Sequence, residues 1–478
     1  MGRRGRGLYA GSIVAVVGGL IACESQVTTD DESQEPGLID PRVATGVTDG
    51  RRLKPIVHVA EDGWTSFSGE WFDPELDARC TIQNVVGTDR VDEGAACVPY
   101  AGHVAYLDEG CTRPVVVALD AEPPVFAADR VLDRPCPDRG FSISGLYRST
   151  SSIPVPSAPL YERGFAFGQL ACNAASRLPF DGERLYGAEA VASWRDVLVT
   201  FDVERSPPAA GSNLQRQQYV ATDGASQYLF PFDGALQTWC FGPERCVPRN
   251  TARADWGHFV DARCTEPAVA VACGQTVAVD SFGDTFFRIG EAVESGYLDQ
   301  PGIGCALADS VPTRPPGTFH RRGEAIDEAQ FSRLTRARMG EGRLQRIVSV
   351  DDGGALVYPG ESFWDRDLSI ECTVAPTADG ATRCVPLYGA RPGLFADAAC
   401  ATRAVRINQA APPRYVRLEA PGVIEVAEVR EPLVELFRRE ERGCVSIPEM
   451  GSDDGAFALS APVPLELFAR LEERVGTP

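Results

Sequence analysis

The sequence predicts an all-β protein made of three internal repeats, and three observations lead to that reading. A cysteine frame occurs three times in the 478 residues. It reads FDPELDARC, CVPY and YLDEGCTRP around Cys80, Cys97 and Cys111, then FDGALQTWC, RCVP and FVDARCTEP around Cys240, Cys246 and Cys264. The third copy is WDRDLSIEC, RCVP and FADAACATR around Cys372, Cys384 and Cys400. Short apolar and β-branched runs flank each frame, and turn signals recur about every 8 to 12 residues, the spacing of a sandwich, barrel or propeller. Each copy spans roughly 130 to 160 residues, room for two four-stranded blades of about 40 to 50 residues. A six-bladed propeller with two blades per repeat is therefore expected, and three consecutive β-sandwich-like units are the alternative. The absence of a Ser/Gly-rich linker between copies favours a closed ring.

In chain order, Arg3, Arg4 and Arg6 form a positive start, Leu8 to Ala22 is a short apolar run, and Leu20-Ile21-Ala22-Cys23 closes it. This resembles a bacterial lipoprotein signal peptide ending in a lipobox. The resemblance covers residues 1–23 and implies cleavage before Cys23, lipidation of that thiol, and a mature chain tethered by acyl chains without a spanning helix. The apolar run is too short for a comfortable span. Glu24 gives no signal for inner-membrane retention, so the expected address is the bacterial cell envelope, as an outer-membrane lipoprotein facing the periplasm or the surface. Residues 23–50 hold the lipidated cysteine and a segment rich in Asp, Glu, Ser, Thr and Gly, too poor in apolar side chains to offset ordering entropy, which reads as a disordered acidic tether.

The repeats follow at 51–200, 201–338 and 339–478. The first opens with Ile56-Val57-His58-Val59 and then Asp62-Gly63, and the third with Ile347-Val348-Ser349-Val350 and then Asp351-Asp352-Gly353. The second opens more weakly with Gln218-Tyr219-Val220 and Asp223-Gly224. β-Branched runs closed by Asp-Gly are hairpin signals. Apolar runs after the third frame cysteine come next (Val115 to Val117, Ala268 to Val271, Ala404 to Ile407). Strands ending in arginine are matched as Leu146-Tyr147-Arg148, Phe286-Phe287-Arg288 and Tyr415-Val416-Arg417. Short helices are expected at 432–442, where Leu433, Leu436 and Phe437 share a helical face before Gly443, and at 465–473.

Setting Cys23 aside leaves fourteen of the fifteen cysteines. Besides the nine frame cysteines these are Cys172, Cys305 and Cys444, one late in each copy, and Cys136 and Cys273, extras of the first two. An even number in an exported chain argues for disulfides, and no C-x-x-C pair supports a zinc or redox site. Sequence alone leaves the pairing open.

The charges bound the partners. A formal net charge of −21 repels a phosphate backbone, which excludes nucleic acid. No cofactor or metal is expected. Asp108, Asp261 and Asp397 stand three residues before the third frame cysteine, and Asp73, Asp233 and Asp365 open the frame. They read as turn-forming carboxylates, because a calcium loop needs several oxygens at alternate positions. The four histidines, His58, His103, His258 and His320, show no metal doublet, and His103 and His258 read as exposed loop imidazoles. No G-x-S-x-G elbow, S-x-x-K dyad or phosphate loop is present. Paired carboxylates leave an exported, glycosidase-like hydrolase as the alternative function. Trp64, Phe67, Trp71 and Phe72 in the first copy, with Tyr228, Phe230 and Phe232 in the second, suit a binding face but read as core-facing strand residues. Since a single pocket uses one copy of each residue, function should lie where the threefold pattern breaks. The reading is a non-catalytic binding or structural role, with recognition in the segments between the second and third frame cysteines. The partners are the membrane, through the lipid, and an envelope protein or polysaccharide.

Overall fold

Strand pairing outlines three equivalent units, each a front sheet followed by a small barrel. The structure, a computed structural model, describes residues 46–476 except for short stretches, the longest being 85–94, 133–140, 175–182, 309–317 and 448–454. The all-β expectation holds: the described residues contain strands and three single-turn 3₁₀ helices.

In unit one Lys54–Ala60, Thr65–Asp73, Ala78–Asn84 and Ala95–Pro99 pair antiparallel in sequence order. The closing strand, Thr200–Arg205, then returns to Ala95–Pro99. Unit three repeats the order with Leu344–Val350, Ser362–Asp365, Ile370–Pro376, Thr382–Pro386 and Arg470–Val475. Unit two is shorter, with Leu214–Gln215, Phe232–Asp233, Thr238–Phe241 and Val247–Pro248. Its return is a bridge between Arg245 and Arg333 ahead of the closing strand Thr335–Met339.

One turn builds all three frames. The carboxylate of Asp73, Asp233 or Asp365 accepts the backbone N–H two residues on, from Glu75 (3.1 Å), Ala235 (2.9 Å) or Asp367 (3.1 Å). Asp77, Gln237 and Ser369 then turn the chain at φ 47, 53 and 54. A short polar side chain that bonds its own backbone is what fixes such a turn. The first two frame cysteines face each other across the resulting strands as Cys80–Cys97, Cys240–Cys246 and Cys372–Cys384.

Each closing strand also pairs with the opening strand of the next unit. Phe201 to Arg205 run against Ala221 to Gln217, and Thr335 to Met339 against Val350 to Arg346. Leu471 to Val475 run against Ala60 to Ile56, joining the last unit to the first and closing the ring. The junctions are locked by turn carboxylates. Asp223 of unit two accepts the N–H groups of Arg52 (3.0 Å) and Leu53 (2.7 Å) in unit one, and Asp62 of unit one accepts that of Leu344 (2.9 Å) in unit three. Gly50 and Gly342 lie against these carboxylates with no room for a Cβ. The cores cross the junctions too. Trp71, Phe201 and the Cys80–Cys97 bridge pack with Ala221 and Ala225 of unit two, and Phe363 with Ala60 and Leu471.

Between front sheet and closing strand units one and two insert a closed five-stranded barrel, and unit three inserts the same strand order with its first strand in two pieces, Gly389–Ala390 and Leu394–Phe395. In unit one the ring runs His103–Tyr106, Pro114–Ala118, Arg184–Ala190, Phe141–Ile153, Phe126–Leu132, closed by a parallel pair between His103 and Ala128. Unit two closes identically through Thr251–Arg253 and Val277–Val279. A hairpin leans on each barrel and is clamped to it by Cys111–Cys172, Cys264–Cys305 or Cys400–Cys444.

Three expectations are corrected. The strands are gathered into shared front sheets and barrels, not into six separate four-stranded blades. The expected helices are absent: Leu436–Glu440 and Gly443–Ile447 pair as a hairpin whose second strand opens at Gly443 with φ 125, and 465–473 is one 3₁₀ turn, Leu465–Leu467, leading into the strand Arg470–Val475. Pairing partners overrode a helical spacing only one turn long. Finally, Arg148 and Arg288 lie on fourth barrel strands and Arg417 on a third, Tyr415–Ala420, so these arginines are not equivalent.

The turn between the paired strands Ile370–Pro376 and Thr382–Pro386 carries a pH-sensitive contact. The Asp379 carboxyl is held down at about 2 by the Thr377 hydroxyl and then by the Arg383 guanidinium, which also donates to the Phe468 carbonyl at 3.0 Å. A depressed carboxylate contributes stability above its unfolded pKa and loses it as pH falls through the folded value. Melting temperature should therefore fall between about pH 4 and pH 2, and less steeply in Asp379→Asn. A variant with an unchanged acid limb would contradict this role.

Candidate functional site

Most residues singled out by sequence are scaffold. Asp108, Asp261 and Asp397 each fold a turn around the third frame cysteine, whose N–H donates to the aspartate carbonyl at 3.0–3.1 Å. Their carboxylates accept further N–H groups, from Arg113, Glu266 and Thr402 at 2.7–2.8 Å among others. These bonds hold all three carboxyls below the usual range, Asp108 first through the Thr112 hydroxyl, Asp261 through the Glu266 amide and Asp397 through the Ala401 amide. The turns set Cys111, Cys264 and Cys400 at φ 48, 53 and 51, a region L-residues visit at a cost of about 1–3 kcal/mol. Among the described residues no cluster of three or more His, Cys, Asp or Glu is arranged to hold a metal.

The buried aspartates tie each unit's start to its end. Asp73, fully buried, takes a two-pronged pair from Arg52 at 2.6 and 2.8 Å, and Arg52 also donates to the Val197 carbonyl. Asp365 takes the same from Arg343, which reaches the Leu467 carbonyl. Unit two departs. Asn213 stands at the arginine position, and Asp233 accepts instead from the backbone of Ala235 and Leu236 and from the Ser332 hydroxyl (3.2 Å).

Neither His103 nor His258 lies in a loop: His103 opens the first strand of the unit-one barrel, and His258 stands on the two-residue strand His258–Phe259, which pairs with the clamped hairpin strand Tyr297–Gln300. His258 is 7% exposed, packs its ring against Phe319, and is pushed down by burial. His58 is likewise lowered by burial, and His320 bridges Thr318 and the Gly290 carbonyl. Cys23, Cys136 and Cys273 lie outside the described residues.

The aromatic stretches divide. In unit one Trp71 is fully buried and Phe67 packs on it. In unit two Phe232 is buried, but Phe230 is 37% exposed and stacks on Trp239 at 5.4 Å, with Phe241, 38% exposed, edge-on to Phe230 at 5.5 Å. Arg249 lies over Phe241 and Arg216 over Tyr228.

Strand register shows what the other units carry at these places. Phe230 and Trp239 correspond to Glu70 and Arg79 in unit one and to Ser362 and Glu371 in unit three. There the side chains form ionic crosslinks to the preceding unit's closing strand. Arg79 pairs with Glu70 (3.2 Å) and Glu473 (2.5 Å), and Glu371 pairs with Arg336 (2.5 Å) and accepts from Ser362 (2.8 Å). Opposite Tyr219, where Glu473 faces His58 and Arg336 faces Ser349, unit two has Val203. One face of the threefold body is thus aromatic where its two counterparts are ionic. Of the three rings, Phe230 stands out in the sequence, whereas Trp239 and Phe241 do not. The signal was the residue before the first frame cysteine, which is Arg79, Trp239 and Glu371 in turn.

Fold and site define a disulfide-clamped, all-β repeat protein with one asymmetric aromatic face. Six described disulfides mark a body that folds in an oxidising compartment. The chain belongs to DUF7481, a family of unknown function whose model matches residues 33–420. No curated protein and no solved structure matches it.

Proposed function

We propose that this protein is a non-catalytic binding module of the bacterial envelope, acylated at Cys23, held off the outer membrane by the tether that follows, and docking a protein partner through the aromatic face of unit two. The tether ends before residue 46, because Val47–Thr48 pairs with Gln227 and Ser226 and Val47 is buried in the core. The observation that carries the reading is the Phe230, Trp239 and Phe241 cluster, standing where units one and three spend the same positions on structural ion pairs. Trp, Phe, Tyr and Arg are the side chains enriched at the centres of protein interfaces. Arg216 and Arg249, stacked on the flanking rings, supply the cationic rim. Among the described residues, the carboxyls of Asp108, Asp261, Asp379 and Asp397 are held below the usual range by the hydrogen bonds they accept, the opposite of what the hydrolase alternative needs from a proton-holding general acid.

The pseudo-symmetry supplies the control. A photo-crosslinking residue at 241 should trap one envelope protein in cells, and the same residue at Thr81, its counterpart in unit one, should not. The double variant F230E/W239R, which installs unit one's Glu70 and Arg79, should abolish the crosslink while leaving the melting temperature within a few degrees. Equal crosslinking at 81 and 241, or retention of an envelope polysaccharide by the wild type in place of a protein, would overturn the reading.

A further inference from the structure

We infer that the mouth of the third barrel binds a small organic carboxylate, independently of the aromatic face on unit two. A cavity of about 760 Å³ opens there, lined among others by Leu394, Phe395, Val405, Arg406 and Arg439, within the size range of small-molecule sites.

Unit one shows what this place holds when it is filled. There the Asp129 carboxylate, 1% exposed, accepts from the Tyr106 hydroxyl (2.7 Å) and pairs with Arg163 (3.1 Å). Arg163 also lies over the Tyr106 ring and donates to the Cys111 carbonyl. Unit three keeps the cation and loses the anion. Arg439 faces Cys444 across its hairpin as Arg163 faces Cys172. It donates to the Cys400 carbonyl at 2.9 Å and lies over the Phe395 ring at 5.2 Å. Among the described residues it has no carboxylate partner.

The position of Asp129 falls to Glu419, since the parallel pair of His103 with Ala128 corresponds to that of Ala390 with Leu418. Glu419 turns outward and pairs with Arg417 at 2.6 Å, side chain 49% exposed. Phe395 stands where Tyr106 stood, so the hydroxyl that bonds the carboxylate is gone and an apolar wall replaces it. The second and third frame cysteines are sixteen positions apart here against fourteen in unit one. The extra length, around Pro392 and Gly393, splits the barrel's first strand into Gly389–Ala390 and Leu394–Phe395, and the cavity opens at the split. Unit two, with Asp299 in place of the arginine, has no such site. A guanidinium fork beside an aromatic and aliphatic wall fits a carboxylate carried on a flat apolar body.

The test is calorimetric titration of the full soluble chain, residues 24–478, with benzoate and with its neutral isostere benzamide. Benzoate should bind about tenfold or more tightly than benzamide. Arg439→Gln should remove that preference, and Arg439→Lys should retain part of it. Arg439 is exposed on a disulfide-clamped hairpin, so both variants should melt with the wild type, and melting curves verify it. Arg163→Gln in unit one, tested alongside, should leave benzoate binding unchanged. Equal binding of benzoate and benzamide, or undiminished preference in Arg439→Gln, would overturn the proposal.

Discussion

Replacing Arg343 by alanine is expected to cost about 3–5 kcal/mol of folding stability, the loss found when a buried charge is left without its partner. The asymmetry of the pair sets the size. Asp365 is fully buried, while the Arg343 side chain is 30% exposed, so removing the arginine strands a carboxylate away from water. Asp365→Asn leaves the guanidinium able to hydrate and should cost less. Unit two shows how the same aspartate is held without the arginine: Asn213 replaces it and the Ser332 hydroxyl donates instead. Ala469 is the position equivalent to Ser332, since its carbonyl accepts from Cys384 as that of Ser332 accepts from Cys246. Arg343→Asn should therefore be destabilising alone and partly rescued by Ala469→Ser. Denaturant titration of the four proteins checks the cycle, and additive effects would contradict this equivalence.

A chain ending at Ala469 is expected to lose cooperative folding altogether. The missing strand, Arg470–Val475, pairs with unit one from Ile56 to Ala60 and with unit three at Thr382 and Arg383. It also carries the buried Leu471 and the Glu473 partner of Arg79. At about 0.5–1.5 kcal/mol for each hydrogen bond and 1.5–3 kcal/mol for a buried leucine, the loss rivals the whole stability of an ordinary domain. Its removal also bares Lys54–Ala60 as an open edge, a template for pairing with another chain. Size-exclusion chromatography should show self-association, and near-UV circular dichroism should show lost packing. A truncated monomer melting like the wild type would mean that the last strand does not close the ring.

Sequence carried the all-β class, the threefold frame and the turn-forming aspartates, because each is written within a few consecutive residues: the cysteine, the aspartate three before it, the Asp-Gly turn. Ring closure was only hinted at by the missing linkers. Nothing near Ala60 or Leu471 records that the two lie side by side, since strand partners are chosen by the assembled core. The segment around Leu433, Leu436 and Phe437 misled for a related reason. Apolar residues three and four apart suit one helical turn, yet the hairpin partner and the Cys400–Cys444 bridge decide the conformation. The aromatic face was half legible. Phe230 and Phe232 look alike in sequence, but the strand is interrupted between Tyr228 and Phe232, and one ring ends exposed while the other is buried in the core. The cavity of unit three needed the comparison of Arg439 with Arg163, which only the hairpin registers supply.

Three units are clamped by equivalent bridges, and we propose that the chain is exported and acylated at Cys23. Peptide mapping by mass spectrometry of the unreduced, membrane-extracted protein tests this most directly. It should find Cys80 with Cys97, Cys240 with Cys246, Cys372 with Cys384, Cys111 with Cys172, Cys264 with Cys305 and Cys400 with Cys444, and an acylated Cys23 at the mature N-terminus. Bridges joining different units among these cysteines, mostly free thiols, or an unmodified Cys23 would contradict it.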